Sequence, residues 1–224
     1  MMRPAFLALL LLPTPALSAP EAAPTAAPAA SAGAAASPTL AAAIAALRDD
    51  RAPEAAQMFL TLARSGAPDA QFNLALLYAK GIGVPQNDRE ALYWGWRARL
   101  AGIPAAIALI DSLQPTAPED LRIDIAARIA ADLDPRIAAG EGRAMLERSV
   151  LLLDLLPDPD LQGAYVWQAL SAALGTPNAP AARDATLARI DPKDRIAAQD
   201  ATLAQLRDLC AAGIDAPALC ATLP

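Results

Sequence analysis

Residues 67–102 read APDAQFNLALLYAKGIGVPQNDREALYWGWRARLAG, and their pattern decides the fold. Ala70, Leu74, Leu77 and Tyr78 recur at three- and four-residue spacing, which is one face of an α-helix. Gly81 is placed to close that helix, because a residue without Cβ takes the left-handed conformation of a helix end at no steric cost. Gly83 supplies a second corner, Pro85 stiffens the exit, and Asp88 is placed to cap a following helix over 89–101 that Gly102 ends. On that second helix Ala91, Trp94, Ala98 and Ala101 form one apolar stripe, while Tyr93, Trp96 and Leu100 form another. A helix that is apolar on two sides packs between neighbours, so the stretch reads as an interior hairpin of a helical stack.

The rest of the chain repeats the pattern more faintly. Helix-closing glycines fall at 66, 102, 140, 175 and 213, a spacing in the range of helix–turn–helix repeats. A shift of 73 positions, the interval from Trp94 to Trp167, lays Ala91, Gly102, Pro104 and Asp111 on Ala164, Gly175, Pro177 and Asp184. The same shift lays Ala138-Ala139-Gly140 on Ala211-Ala212-Gly213. An alanine-rich chain supplies matching alanines by chance, but not the tryptophan, glycines, proline and aspartate together. The expected fold is all-α, an αα-hairpin superhelix (solenoid) of four to five hairpins. Further helices are expected over 39–48, from a cap at Asp50 to Gly66, over 118–133 behind a Thr116 cap, and over 143–156, 160–174, 179–189 and 192–212. Asp134-Pro135 is expected to interrupt the helix before it or to start a new turn, and Asp191 to cap the last.

Composition agrees with helices and narrows the chemistry. Of 224 residues 55% are hydrophobic, but much of that is alanine, the best helix former and a poor source of buried area. Aromatics make up only 4%, little for a strand-rich fold. The formal charge is −6, with no cluster of lysine or arginine to neutralise a run of phosphates, so nucleic acid is not an expected partner. Histidine is absent, which excludes Ser-His-Asp and Cys-His catalysis and removes the commonest zinc ligand.

Residues 1–18, MMRPAFLALLLLPTPALS, carry Arg3, an apolar run over 5–12 and small residues at Ala16 and Ser18, the pattern of a secretory signal peptide. Pro13 and Pro15 stop the run well short of the roughly 20 apolar residues of a membrane span. No integral span is therefore expected once the signal is cleaved. Residues 19–38 are almost wholly Ala, Pro, Ser and Thr and read as a disordered linker, leaving 39–224 as the helical repeat domain. In an exported chain Cys210 and Cys220 are expected to form a structural disulfide, two free buried thiols being the alternative.

The string Leu74, Leu77-Tyr78, Lys80-Gly81, Gly83-Val84-Pro85-Gln86, Asp88, Ala91, Trp94 and Ala101-Gly102 resembles the Sel-one-like repeat, a branch of the tetratricopeptide-like helical repeats. A second, partial match runs from Asp160 through Trp167 to Gly175, without a Gly-x-Gly-Val-Pro turn before it. The resemblance implies a curved αα-superhelix whose members act mainly as protein–protein adaptors, often in secreted or periplasmic settings.

No residue set stands out as catalytic, cofactor-binding or metal-binding. The carboxylates are scattered among helix caps and solvated faces, and no pair is set apart as a glycosidase would need. Most aromatics sit at core spacing. Trp96 lies off the main stripe beside Arg97 and Arg99, and tryptophan with arginine is what binding hot spots favour, so these three form the expected protein-binding edge. The expected function is a non-catalytic periplasmic or secreted scaffold that binds another envelope protein or a peptide segment. An inhibitory partner of a membrane sensor kinase is the alternative, and a cell-wall hydrolase a more distant one.

Overall fold

Eleven α-helices and no strand make up residues 38–223, the part of the chain that a computed structural model describes. They are α1 (Leu40–Arg48), α2 (Ala52–Arg64), α3 (Pro68–Lys80), α4 (Asp88–Leu100), α5 (Ala105–Leu113), α6 (Glu119–Ala138), α7 (Gly142–Asp154), α8 (Leu161–Ala173), α9 (Ala179–Arg189), α10 (Arg195–Ala211) and α11 (Pro217–Cys220). The expected signal peptide and nearly all of the Ala/Pro-rich linker lie outside the described residues.

Neighbouring helices pack in chain order, α1 on α2, α2 on α3, α3 on α4, α6 on α7 and α7 on α8, as in a solenoid. The 73-residue shift is structural as well. It carries the bounds of α4 onto those of α8 and the last residue of α6 onto the last residue of α10. It also carries the positive-φ Gly102 and Gly140 onto the positive-φ Gly175 and Gly213. Contacts follow the same rule: α4 packs on α3, α5 and α6, and α8 packs on α7, α9 and α10. The repeating object is thus a four-helix unit, α3–α6 and then α7–α10, preceded by the α1–α2 hairpin. α5 and α9 are short and lean on the central helices α4 and α8, where two plain hairpins are expected from the glycine spacing alone.

Several caps differ from expectation. Asn87, not Asp88, caps α4, its Oδ1 accepting from Glu90 N at 3.1 Å. Arg51 occupies the N-cap of α2, and Asp50 takes φ 57° in the turn before it. Pro118 stands where Thr116 is expected to cap α6, and Thr116 ends a short 3₁₀ turn. Asp191 caps the 3₁₀ turn before α10, not α10 itself. Pro135 does not break α6, which runs on to Ala138. A proline there forfeits one backbone bond, and buried Leu133 and Ile137 on either side hold the helix in register. Arg148 braces the same turn, donating to Ala130 O at 2.6 Å and Asp134 Oδ1 at 2.5 Å.

The core runs through all the units, from Phe59 and Leu74 to Ile129, Met145, Leu151 and Leu170, each below 2% exposed. Cys210 and Cys220 form a disulfide with Cα atoms 5.8 Å apart, tying α11 to the end of α10.

Candidate functional site: a polar groove between α4, α6 and α7

The centre of the molecule is α4, where residues 91–96 are buried without interruption. One six-residue run buries every side of a helix only if neighbours cover it all round. Here α3, α5 and α6 do so. Trp96 is fully buried, its Nε1 donating to Gln114 Oε1 at 3.1 Å, and Gln114 Nε2 in turn donates to the Asp154 carbonyl at 2.8 Å. The expected contact edge is corrected at this point: Trp96 presents no surface to a partner. The second stripe, which carries Tyr93 and Trp96, is packed as fully as the first, so a ring off the main stripe is not a free one.

Arg97 and Arg99 remain at the surface, and both are engaged. Arg97 Nη1 donates to Asp132 Oδ2 at 2.6 Å and to the Tyr93 hydroxyl at 3.0 Å, and Tyr93 itself donates to Asp132 at 2.5 Å. Burial, then the Asp132 bond, push the Tyr93 phenol above its ordinary range, so it serves as a neutral donor. Arg99 lies 4.4 Å over the Trp96 ring and pairs with Asp154.

Beyond these arginines the helices part. A cleft of about 410 Å³ opens between the ends of α3 and α4 and the faces of α6 and α7, with Gln71, Arg97, Asp132, Arg136, Arg143 and Glu147 among its walls. A second cleft of about 490 Å³ shares Leu100, Arg143 and Glu147 with it and continues past Val150 to Asn178. Together they form one groove running across the first unit onto the second. Glu147 is buried on its floor between two cations: Arg136 Nη1 reaches Oε2 at 2.6 Å and Arg143 Nε reaches Oε1 at 2.9 Å. Burial opposes the charge on Arg136, but the bonds to Glu147 and to Glu141 outweigh it and leave this guanidinium raised. Among the described residues no cluster of His, Cys, Asp and Glu stands close enough to hold a metal ion, and no helix is long and apolar enough to cross a membrane.

Residues 68–98 match the model of the Sel1 repeat. The chain carries a Sel1 repeat. That repeat is α3, the glycine turn and nearly all of α4. Among solved structures, similarity is found to c5321, a protective antigen present in uropathogenic Escherichia coli strains displaying an SLR fold. The match has 18% identity and a TM-score of 0.35, and covers 75% of this chain and 42% of that one. The chain therefore spans less than half the length of that antigen. No curated protein matches the chain.

Within the Sel1 repeat, Tyr78 is half-buried, Ala91 fully buried and Trp94 4% exposed, while Gly81 and Gly83 hold φ of 66° and 70°. Pro85 follows in the turn whose closing bond runs from Asn87 N to Tyr78 O at 3.0 Å. In the second unit Gly175 ends α8 at φ 74°, and Trp167 is half-buried beneath Arg148, 4.8 Å from its ring. The groove residues Gln71, Arg136, Arg143 and Glu147 are missed by sequence reasoning. They lie on three helices, and although Arg143 and Glu147 are four residues apart on α7, no local spacing brings Gln71 and Arg136 to them. One signal was available: Glu147 occupies the position that Leu74 holds in the repeat, a charge at a core register.

Proposed function

We propose that this protein is an exported, non-catalytic Sel1-repeat scaffold that holds a segment of another envelope protein in the groove between α4, α6 and α7. The groove carries the proposal, because its polar cleft opens at Leu100, Arg143 and Glu147 into a more apolar cleft on the next unit, and Arg143 keeps donors to spare. The Sel1 repeat fold supports a protein-interaction scaffold. Export rests on the leader-like sequence of residues 1–18 and on the Cys210–Cys220 bond, since disulfides persist in oxidising compartments. Binding a segment along a rigid groove needs no moving part, and the ion-paired walls suit it because they are already set in place before contact.

Site-specific photo-crosslinking in cells tests both halves. A crosslinker at Leu146 or Val150 in the groove is expected to give discrete adducts with a protein of the envelope fraction. The same crosslinker at Ile82, on an exposed turn away from the groove, is expected to give none. Equal labelling from both positions, or recovery of the intact chain with residues 1–18 in the cytosolic fraction, defeats the proposal.

A further inference from the structure

We infer that the cleft at the α3–α4 end of the groove is built for a carboxylate carried next to a peptide N–H, as at an acidic side chain or a chain terminus. This rests on the reading of the groove as a site for a protein segment, and names the group that the cleft takes.

Two observations converge. The first is charge. The whole chain is acidic, at −6, yet Arg97, Arg136 and Arg143 line this cleft against Asp132 and Glu147. Glu147 has both oxygens committed to Arg136 and Arg143, and Arg136 is answered by Glu141 as well, so the spare donors lie on Arg143. Arg143 is 63% exposed at its side chain, and beyond Glu147 its one further contact is 3.4 Å from the Leu100 carbonyl. A planar guanidinium with free N–H groups at the mouth of a cleft is the natural partner of a carboxylate, which it meets with two parallel bonds.

The second observation is Gln71. This side chain is 2% exposed and lines the same cleft. Its Nε2 donates to the Ala63 carbonyl at 3.3 Å, which fixes the orientation of the amide, because the flipped form would set two oxygens face to face. Its Oε1 is buried and has no donor anywhere in the fold. A buried acceptor without a partner is costly, and a leucine at this position would avoid the cost. What the cleft leaves open, then, is an acceptor for the spare N–H groups of Arg143 and an N–H for Gln71. An acylated amino acid supplies both from one residue, and a cleft of about 410 Å³ admits a group of that size. A sulfate, which has no hydrogen to donate, meets Arg143 and leaves Gln71 without a donor.

The test is a titration of the ¹⁵N-labelled full chain, following the Gln71 side-chain amide and the Arg143 Nε–H by NMR. Three probes are compared: N-acetyl-alanyl-alanine, its C-terminal amide, and N-acetyl-aspartic acid α-amide. At least one acid is expected to shift both signals saturably in the millimolar range usual for such small ligands, with the neutral amide at least about tenfold weaker. Response to the first acid alone marks a chain terminus as the natural group, and response to the second alone an internal acidic residue. Arg143→Ala, at an exposed position, is expected to weaken binding about tenfold while the helical circular dichroism and the two-state melt are retained. Gln71→Leu, which keeps the bulk, is expected to cost about fivefold, one hydrogen bond's worth. The inference is overturned if neither acid binds, if acid and amide bind alike, if inorganic sulfate shifts Gln71 as well as the acids do, or if Arg143→Ala binds normally. The scaffold reading fails separately: acids that bind a protein giving no groove crosslinks leave a small-molecule site, and crosslinks without acid binding leave a groove that recognises other chemistry.

Discussion

The central helices of the two units, α4 and α8, are thirteen residues each and hold equivalent places, but they are packed by different means. Trp96 of α4 meets Gln114 through a hydrogen bond, whereas the equivalent positions in the second unit are the apolar Ala169 and Leu187, both packed against the cluster of Tyr165, Ile190 and Ala198. Trp94 is 4% exposed, while its equivalent Trp167 is only half-buried under Arg148. The units also end differently. The first is followed by the thirteen-residue α7, whose Glu147 pairs with Arg136 beside buried Ile137. The second is followed by the four-residue α11, and Cys220 and Cys210 stand where Glu147 and Ile137 stand in the first. A helix enclosed by full-length neighbours can be built from large rings, because every face gains from burial. A helix turn of four residues buries too little to hold itself, and a covalent bond takes over.

The largest effect expected from this contrast is at Trp96. Trp96→Ala, which installs the residue of the second unit, removes a fully buried ring and leaves Gln114 Oε1 without its donor. The loss is expected to be about 3–5 kcal/mol in urea denaturation. Trp167→Ala, on a half-buried ring, is expected to cost no more than about half of that. Equal losses would show that the two central helices bear the same load and would break the comparison.

Next in size is the glycine turn that only the first unit has. A Cβ on Gly83 would collide with the Ala52 carbonyl and the Pro53 nitrogen, both backbone atoms at the start of α2, and its φ is already 70°. Gly83→Ala therefore forces two helices apart and is expected to cost about 3 kcal/mol. Gly102→Ala, at φ 96° with open space around the added Cβ, pays only for its backbone conformation, about 1 kcal/mol. A pair of thermal melts separates them. If both variants lose the same, the Gly83 turn is not the clasp between α2 and α4 that the geometry makes it.

Much of this was legible from residues alone, and the reasons are local. The Gly81–Gly83 turn, the doubled apolar stripe of α4 and the 73-residue echo are patterns of spacing, and spacing survives in a sequence. The cap at Asn87 was misplaced because neighbouring Asp88 is an equally able acceptor, and the start of α6 because Pro118 has no side-chain acceptor to mark it. The helix through Pro135 was hidden because its support, Arg148, comes from the next helix. The groove was invisible for the same reason: Gln71, Arg97, Arg136 and Arg143 meet only after α3, α4, α6 and α7 have packed.

The disulfide tests the other end of the comparison. Its two cysteines are ten residues apart, and closing a loop of that size is expected to contribute about 2–3 kcal/mol in the chain-entropy view. Cys210→Ala with Cys220→Ala, measured against the parent with and without reductant, is expected to lose that amount. Hydrogen exchange is expected to show the loss first in α11 and the end of α10, with α4 still protected. Uniform loss of protection would mean that the unit ends are not independent of the centre.

The smallest effect distinguishes the units by pH. Tyr93 sits on α4 where the second unit has Val166, which does not titrate. Burial raises the Tyr93 phenol above the ordinary 10.0, and its bond to Asp132 adds to the shift against the opposing charge of Arg97. In the unfolded chain the phenol loses its proton near that ordinary value, so above it the unfolded state binds fewer protons than the fold does. The stability that Tyr93 adds is thus complete below pH 10.0 and drains as the pH climbs toward the raised folded value. Wild type is expected to lose urea resistance between about pH 9 and pH 11, and Tyr93→Phe to lose less over the same interval. Tyr78, also raised by burial, gives the variant a residual slope of the same sign. A Tyr93→Phe profile as steep as wild type's would place the alkaline weakness outside α4, and the enclosed centre of the first unit would no longer be what sets the fold's upper pH limit.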